Sequence, residues 1–91
     1  VAGGENNIKI IGNHIDGIMY TNTTTNYGKG LIICDNHITG RINMRADNVI
    51  VSNNIIDNDT EMPMARIYGN SVLINGNLGI GTGKTTEVVE H

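Results

Sequence analysis

One short motif occurs four times along this chain, and no other feature limits its folding as strongly. Ile8-Lys9-Ile10-Ile11-Gly12-Asn13 aligns with Leu31-Ile32-Ile33-Cys34-Asp35-Asn36, with Val49-Ile50-Val51-Ser52-Asn53-Asn54 and with Val72-Leu73-Ile74-Asn75-Gly76-Asn77. The first and third positions are always aliphatic and the sixth is always asparagine. Ile15, Ile38 and Ile56 each follow that asparagine by two residues, and a polar or glycine-containing pair comes next: Asp16-Gly17, Thr39-Gly40 and Asp57-Asn58. The fourth copy slips, with Gly79 in the aliphatic slot and Ile80 after it. The copies begin at residues 8, 31, 49 and 72, so they are offset by 23, 18 and 23 residues. Periods of about 20–50 residues mark solenoids, in which each repeat buries its apolar face only against its neighbours.

Composition agrees with a strand-and-turn reading. Isoleucine and asparagine are abundant, and there are 12 glycines, one proline, and neither Trp nor Phe. β-Branched residues pack well on pleated surfaces, and Asn and Gly accept the backbone conformations of tight turns. The 91 residues allow one small domain. A net charge of −3 without a basic cluster argues against a nucleic-acid surface. No apolar run approaches the ~20 residues of a membrane-spanning helix. Cys34 is the single cysteine, which excludes an internal disulfide scaffold and identifies no nucleophile.

The expected organisation is a lead-in over 1–7, a parallel β-helix over 8–80 in about four rungs, and a strand or tail over 81–91, with terminal His91 set aside as a tag candidate. Strands are expected near 8–11, 31–34, 49–52 and 72–75, with second strands at Ile18-Met19-Tyr20, Arg41 to Met44 and Ala65 to Tyr68. Thr21 to Gly28 and Asp57 to Pro63 read as protruding loops. Strand alternation turns Ile8, Ile10, Leu31, Ile33, Val49, Val51, Val72 and Ile74 inward, with Ile15, Ile38 and Ile56 as a second inward column. Asn13, Asn36, Asn54 and Asn77 fall in register as an asparagine ladder. Rungs about 4.8 Å apart let side-chain amides donate and accept along the stack.

The outward positions change character along the chain. Lys9, Ile32, Ile50 and Leu73 form one outward column, and His14, His37, Ile55 and Leu78 another. Both pass from polar to aliphatic toward the C-terminus. An exposed apolar stripe calls for a cover, so Ile50, Ile55, Leu73 and Leu78 are the expected contacts between copies in a closed symmetric assembly.

The pattern aliphatic-x-aliphatic-x-x-Asn-x-Ile-x-Gly resembles the parallel β-helix repeat of pectate lyases, polysaccharide-degrading enzymes and bacteriophage tailspikes. The resemblance covers about Ile8 to Asn77. The segment Leu78-Gly79-Ile80-Gly81-Thr82 also looks like one that often lies near the C-terminal end of phage tail fibres and tailspikes. The resemblance implies an all-β, right-handed solenoid assembled as a homotrimer. It also implies a host surface polysaccharide as the parent protein's partner and a virion tail as its place. Outside that resemblance the expected location is secreted or cell-surface. No catalytic residue is carried over.

The residues that could carry chemistry each have a plainer structural reading. Gly79 to Thr85 resembles a phosphate-binding loop, but the glycine required six residues before Lys84 is Leu78. A turn-forming C-terminal segment is the better reading. Asp57, Asp59 and Glu61 are weak catalytic candidates, since glycosidases flank the scissile bond with two carboxyl groups; solvated loop acids are the simpler account. His14 and His37 stand at equivalent positions on adjacent rungs, yet two ligands make an incomplete zinc site. Arg41, Arg66 and Tyr68 are weak ligand-binding candidates, because guanidinium forks suit acidic polymers. No cofactor and no metal site is expected. The leading expectation is a stem segment of a trimeric tailspike or appendage, mainly structural. The alternatives are a polysaccharide lyase or glycoside hydrolase module and a bacterial surface adhesin repeat domain.

Overall fold

Short β-branched runs broken by Asn, Gly and Asp favour strands that bend sharply, and the described chain consists of strands and turns alone. The computed structural model describes residues 6–16, 19–20 and 28–90. The strands are β1 (Asn6–Ile11), β2 (His14–Asp16), β3 (Met19–Tyr20), β4 (Gly28–Cys34), β5 (His37–Thr39), β6 (Ile42–Ser52), β7 (Ile55–Asn58), β8 (Ala65–Tyr68), β9 (Val72–Asn75), β10 (Leu78–Gly81) and β11 (Thr86–Val89). Every strand pairing is parallel. Among the described residues there is no helix, and so none long and apolar enough to cross a membrane.

The pairings define three faces wound by one coil. The first stacks Ile8, Leu31, Val49 and Val72 in one register column. The second stacks Ile15, Ile38, Ile56 and Gly79. The third stacks Met19, Ile42, Ala65 and Thr86. The chain passes the first face four times, which makes about three complete turns between first pass and last. The long strand β6 serves two faces, pairing with β8 through Ile42–Arg45 and with β9 through Val49–Ser52. The four stretches that share the motif are thus parallel neighbours, as the aligned columns predict.

The uneven period has a simple origin. Ile8 to Ile15, Leu31 to Ile38, Val49 to Ile56 and Val72 to Gly79 are each seven residues, so the corner between first and second faces never varies. The 18-residue turn is the minimal one. The second 23-residue turn carries its extra residues at another corner, over 59–63. The expected loop Thr21 to Gly28 lies outside the described residues except for Gly28, which is buried and begins β4. Ile18 and residues 1–5 also lie outside them, as does His91. The lead-in is shorter than expected, because β1 already pairs with β4 at Asn6. The C-terminal segment is a strand: β11 pairs with β8 and completes the third face.

Two columns of left-handed backbone make the corners. Gly12, Asp35, Asn53 and Gly76, each just before a ladder asparagine, have φ of 73°, 58°, 56° and 67°. Asn7, Gly30, Asn48 and Ser71, each just before the first face, have φ of 57°, 76°, 57° and 59°. Only Gly, Asn and Asp enter this region at low cost, which accounts for much of the composition. Ser71 is the one member outside that set. Gly69 meets a different demand, because a Cβ there would fall on the Ala46 carbonyl oxygen of the previous turn.

The core fills the middle of the coil. Leu31, Ile33, Ile38, Ile42, Met44, Val49, Val51, Ile56 and Ile67 are buried, whereas Ile8, Ile10, Ile15, Val72 and Ile74 are only partly so. These last point inward as expected, and among the described residues each has a stacked turn on one side only. The slot left by Gly79 is occupied by the Met64 sulfur and the Lys84 stem, which crowd the place its Cβ would take.

The insertion after β7 is tied down by Asn58, which is buried. Its Nδ2 donates to the Met62 carbonyl at 2.8 Å and to the Gly83 carbonyl at 3.1 Å, and its Oδ1 accepts from Thr60 N at 3.1 Å and Thr60 Oγ1 at 2.8 Å. Thr60 Oγ1 in turn accepts from Met62 N at 3.2 Å. Thr60→Val therefore removes two exposed or half-exposed hydrogen bonds, and the expected loss is about 1 kcal/mol. A urea melt reads it; an unchanged midpoint would show that Asn58 alone orders the loop.

Candidate functional site

Alternation along the third face separates its two sides cleanly. Ile42, Met44 and Ala46 of β6 and Ala65 and Ile67 of β8 are buried, so Asn43, Arg45, Arg66 and Tyr68 project outward. Register places Asn43 beside Arg66 and Arg45 beside Tyr68 on adjacent turns, with Glu87 beside Arg66 on the next. The outcome is a polar, aromatic-bearing surface drawn from three consecutive turns.

Its contacts leave a defined pattern. Arg66 Nε donates to Glu87 Oε2 at 2.9 Å, with the arginine side chain 25% and the glutamate 44% exposed. An ion pair this open contributes at most a fraction of a kcal/mol to about 1 kcal/mol. The Arg45 guanidinium lies 4.6 Å from the centroid of the Tyr68 ring, within range for a cation–π contact. Arg66 and Tyr68, singled out from sequence, are thus brought together. Arg45, which the sequence also places on this side, and Glu87, which it did not single out, belong with them.

Arg41 does not join this surface. It is 5% exposed at the corner between the second and third faces, and its Nε donates to the Pro63 carbonyl at 2.8 Å. Arg41 lies one residue before β6 and two before Asn43, the first outward slot, at a corner that takes it inside. It anchors the loop after β7.

The other candidates are dispersed. His14 and His37 stack with ring centroids 4.9 Å apart and planes 10° from parallel, as their shared register requires. Both rings are exposed, and His14 Nε2 lies 3.6 Å from Asp16 Oδ1. Among the described residues no group of three or more His, Cys, Asp or Glu side chains is placed to hold a metal ion. Asp57 is half-buried in β7, while Asp59 and Glu61 are exposed on the loop beyond it. None of the three forms an ion pair among the described residues. Cys34 is half-exposed on β4, its Sγ 3.2 Å from Ser52 Oγ. In the glycine-rich C-terminal segment two backbone N–H groups are already engaged. Thr82 N and Gly83 N both donate to the Asn58 carbonyl, at 2.8 and 3.2 Å.

The opposite flank is aliphatic. Ile50 and Ile55 are 38% and 37% exposed, and Leu73 and Leu78 rise to 52% and 57% on the last turn. Ile80 and Ile11, neither of which belongs to the expected stripe, are also exposed. Ile50 and Leu73 line a shallow cleft with Asn48, Val49, Ser71 and Val72. The gradient toward the C-terminus is thus real but incomplete, because Ile11 places an exposed aliphatic on the first turn.

No family model, curated protein or solved structure matches this chain.

Proposed function

We propose that this chain is a stem segment of a right-handed β-helix that assembles side by side with copies of itself, as in phage tailspikes and appendages, and presents one polar flank to a surface polysaccharide. The observation that carries the reading is the asymmetry of the outer surface. Ile50, Leu73, Ile55 and Leu78 make one flank aliphatic, while Asn43, Arg45, Arg66, Tyr68 and Glu87 make another polar. A stripe parallel to the coil axis suits a parallel neighbour, which covers several turns at once. Threefold symmetry comes from the likeness of the repeat to tailspikes, and so does placement in a virion tail outside the cell. The Arg45–Tyr68 pair and Arg66 offer a guanidinium and an aromatic edge to an acidic glycan. The dispersed carboxylates favour a binding and assembly role over a hydrolase or lyase cleft on this segment.

Two measurements on the same preparation test this. Light scattering should give the mass of an oligomer, and acidic envelope polysaccharides should bind more tightly than neutral ones. Tyr68→Ala and Arg66→Ala should each weaken binding by about 0.5–2 kcal/mol, the range of cation–π and charge-assisted contacts, without changing the mass. A monomer that binds neither polymer ends the proposal. Polymer shortening that is lost on changing Asp57 or Glu61 would replace it with the enzyme reading.

A further inference from the structure

We infer that the imidazoles of His14 and His37 form a two-nitrogen site for a divalent transition-metal ion of the copper and nickel class. Alternation along β2 and β5 packs Ile15 and Ile38 against the core and leaves His14 and His37 on the outer side. Parallel register then sets the two histidines side by side on adjacent turns. Their ring centroids are 4.9 Å apart and their planes 10° from parallel. The backbone beneath them is fixed, because His37 N donates to the Asn13 carbonyl at 2.9 Å and Asn13 N donates to Asn36 Oδ1 at 2.9 Å. The fold therefore delivers both donors to one place, and the second imidazole binds at high effective concentration once the first has done so.

Imidazole nitrogen suits copper, nickel and zinc, and copper binds most tightly of the three. Metal–nitrogen bonds of about 2.0–2.1 Å put two nitrogens bound to one ion about 3 Å apart. Parallel rings aim their lone pairs side by side, so each ring must swing about its Cβ–Cγ bond to converge. That torsion is broad, and little opposes it here: the His14 side chain is 66% exposed and His37 is exposed as well. Water completes the tetragonal shell that copper prefers. Asp16 Oδ1 lies 3.6 Å from His14 Nε2, placed to accept from a metal-bound water. The register column that holds Asp16 continues through Thr39 to Asp57 and Ile80, so it carries two carboxylates and no cation. Negative charge there favours a dication. The histidine column continues into Ile55 and Leu78, which offer no further donor. Two protein ligands make an open, exchangeable site, unlike the closed four-ligand cage of structural zinc.

The full chain is titrated with copper(II) chloride and with nickel(II) chloride in a buffer that does not chelate. Calorimetry reads affinity, and electron paramagnetic resonance counts the nitrogens on bound copper. Copper should bind with two imidazole nitrogens, more tightly than nickel. His14→Ala and His37→Ala should each weaken binding by about tenfold or more. The double variant should lose hardly more than either single one, because one remaining imidazole is no longer a chelate. Asp16→Asn should cause a smaller loss in the same direction. His91 is unchanged in every variant and cancels from the comparison. The substituted side chains are exposed, and circular dichroism checks that each variant keeps its strands. Copper binding that His37→Ala leaves unchanged overturns the inference. So do single-variant losses that add in the double variant, or a copper signal with one nitrogen, since either means separate single-histidine sites.

Discussion

Asn54→Leu should cost this domain about 3 kcal/mol or more, because the substitution strands polar groups on both adjacent turns. Asn54 is 1% exposed. Its Oδ1 accepts from Asn36 N and Asn36 Nδ2, both at 3.0 Å. Its Nδ2 donates to Asn77 Oδ1 at 2.9 Å and to the Ile33 carbonyl at 3.0 Å. Leucine has similar volume but satisfies none of these, and each buried group left unpaired costs about 1–3 kcal/mol. Asn36→Leu should behave similarly. Asn13→Leu should cost little, since Asn13 is exposed. Urea denaturation of the three variants gives the comparison. Equal midpoints for Asn54→Leu and Asn13→Leu would mean that the ladder does not act as a buried network.

Leu73→Lys should convert the proposed assembly into monomers or insoluble protein. Leu73 is 52% exposed in the single chain and borders the cleft with Ile50. Burying a large aliphatic side chain between copies is worth about 1.5–3 kcal/mol, and a lysine in that seam would lose its hydration without a partner. Because Leu73 points out of the coil, the fold of a monomer should survive, so light scattering and far-ultraviolet circular dichroism together separate lost assembly from lost folding. Lys9→Leu, at the equivalent position of the first turn, is the control and should leave the mass unchanged. An intact oligomer in Leu73→Lys removes the aliphatic flank as an interface.

The ladder was legible because its chemistry is local to one residue per turn. An asparagine six positions into every copy can only serve each turn equally if the turns stack. The outward slots were legible for the same reason: Arg66 and Tyr68 are two apart on one strand, so alternation alone puts them on one side. Arg41 stands at a corner, where alternation stops and the backbone direction decides which side faces in. Its buried bond to Pro63 depends on a loop inserted 22 residues later. The grouping of Arg45 with Tyr68 likewise needed register, and an insertion of unstated size had to be placed first.

By itself the amino-acid sequence determined that this chain is a solenoid of parallel strands, which aliphatic columns face inward, and where the asparagines align. Those are properties of a period-two backbone repeated in register, and they follow from the pattern of side chains along one strand. The tertiary structure alone decided how many faces the coil has and which corners carry the insertions. Those depend on where the left-handed residues bend the chain. An Asn or Gly permits that bend without demanding it, so only stacking against the adjacent turns makes it definite.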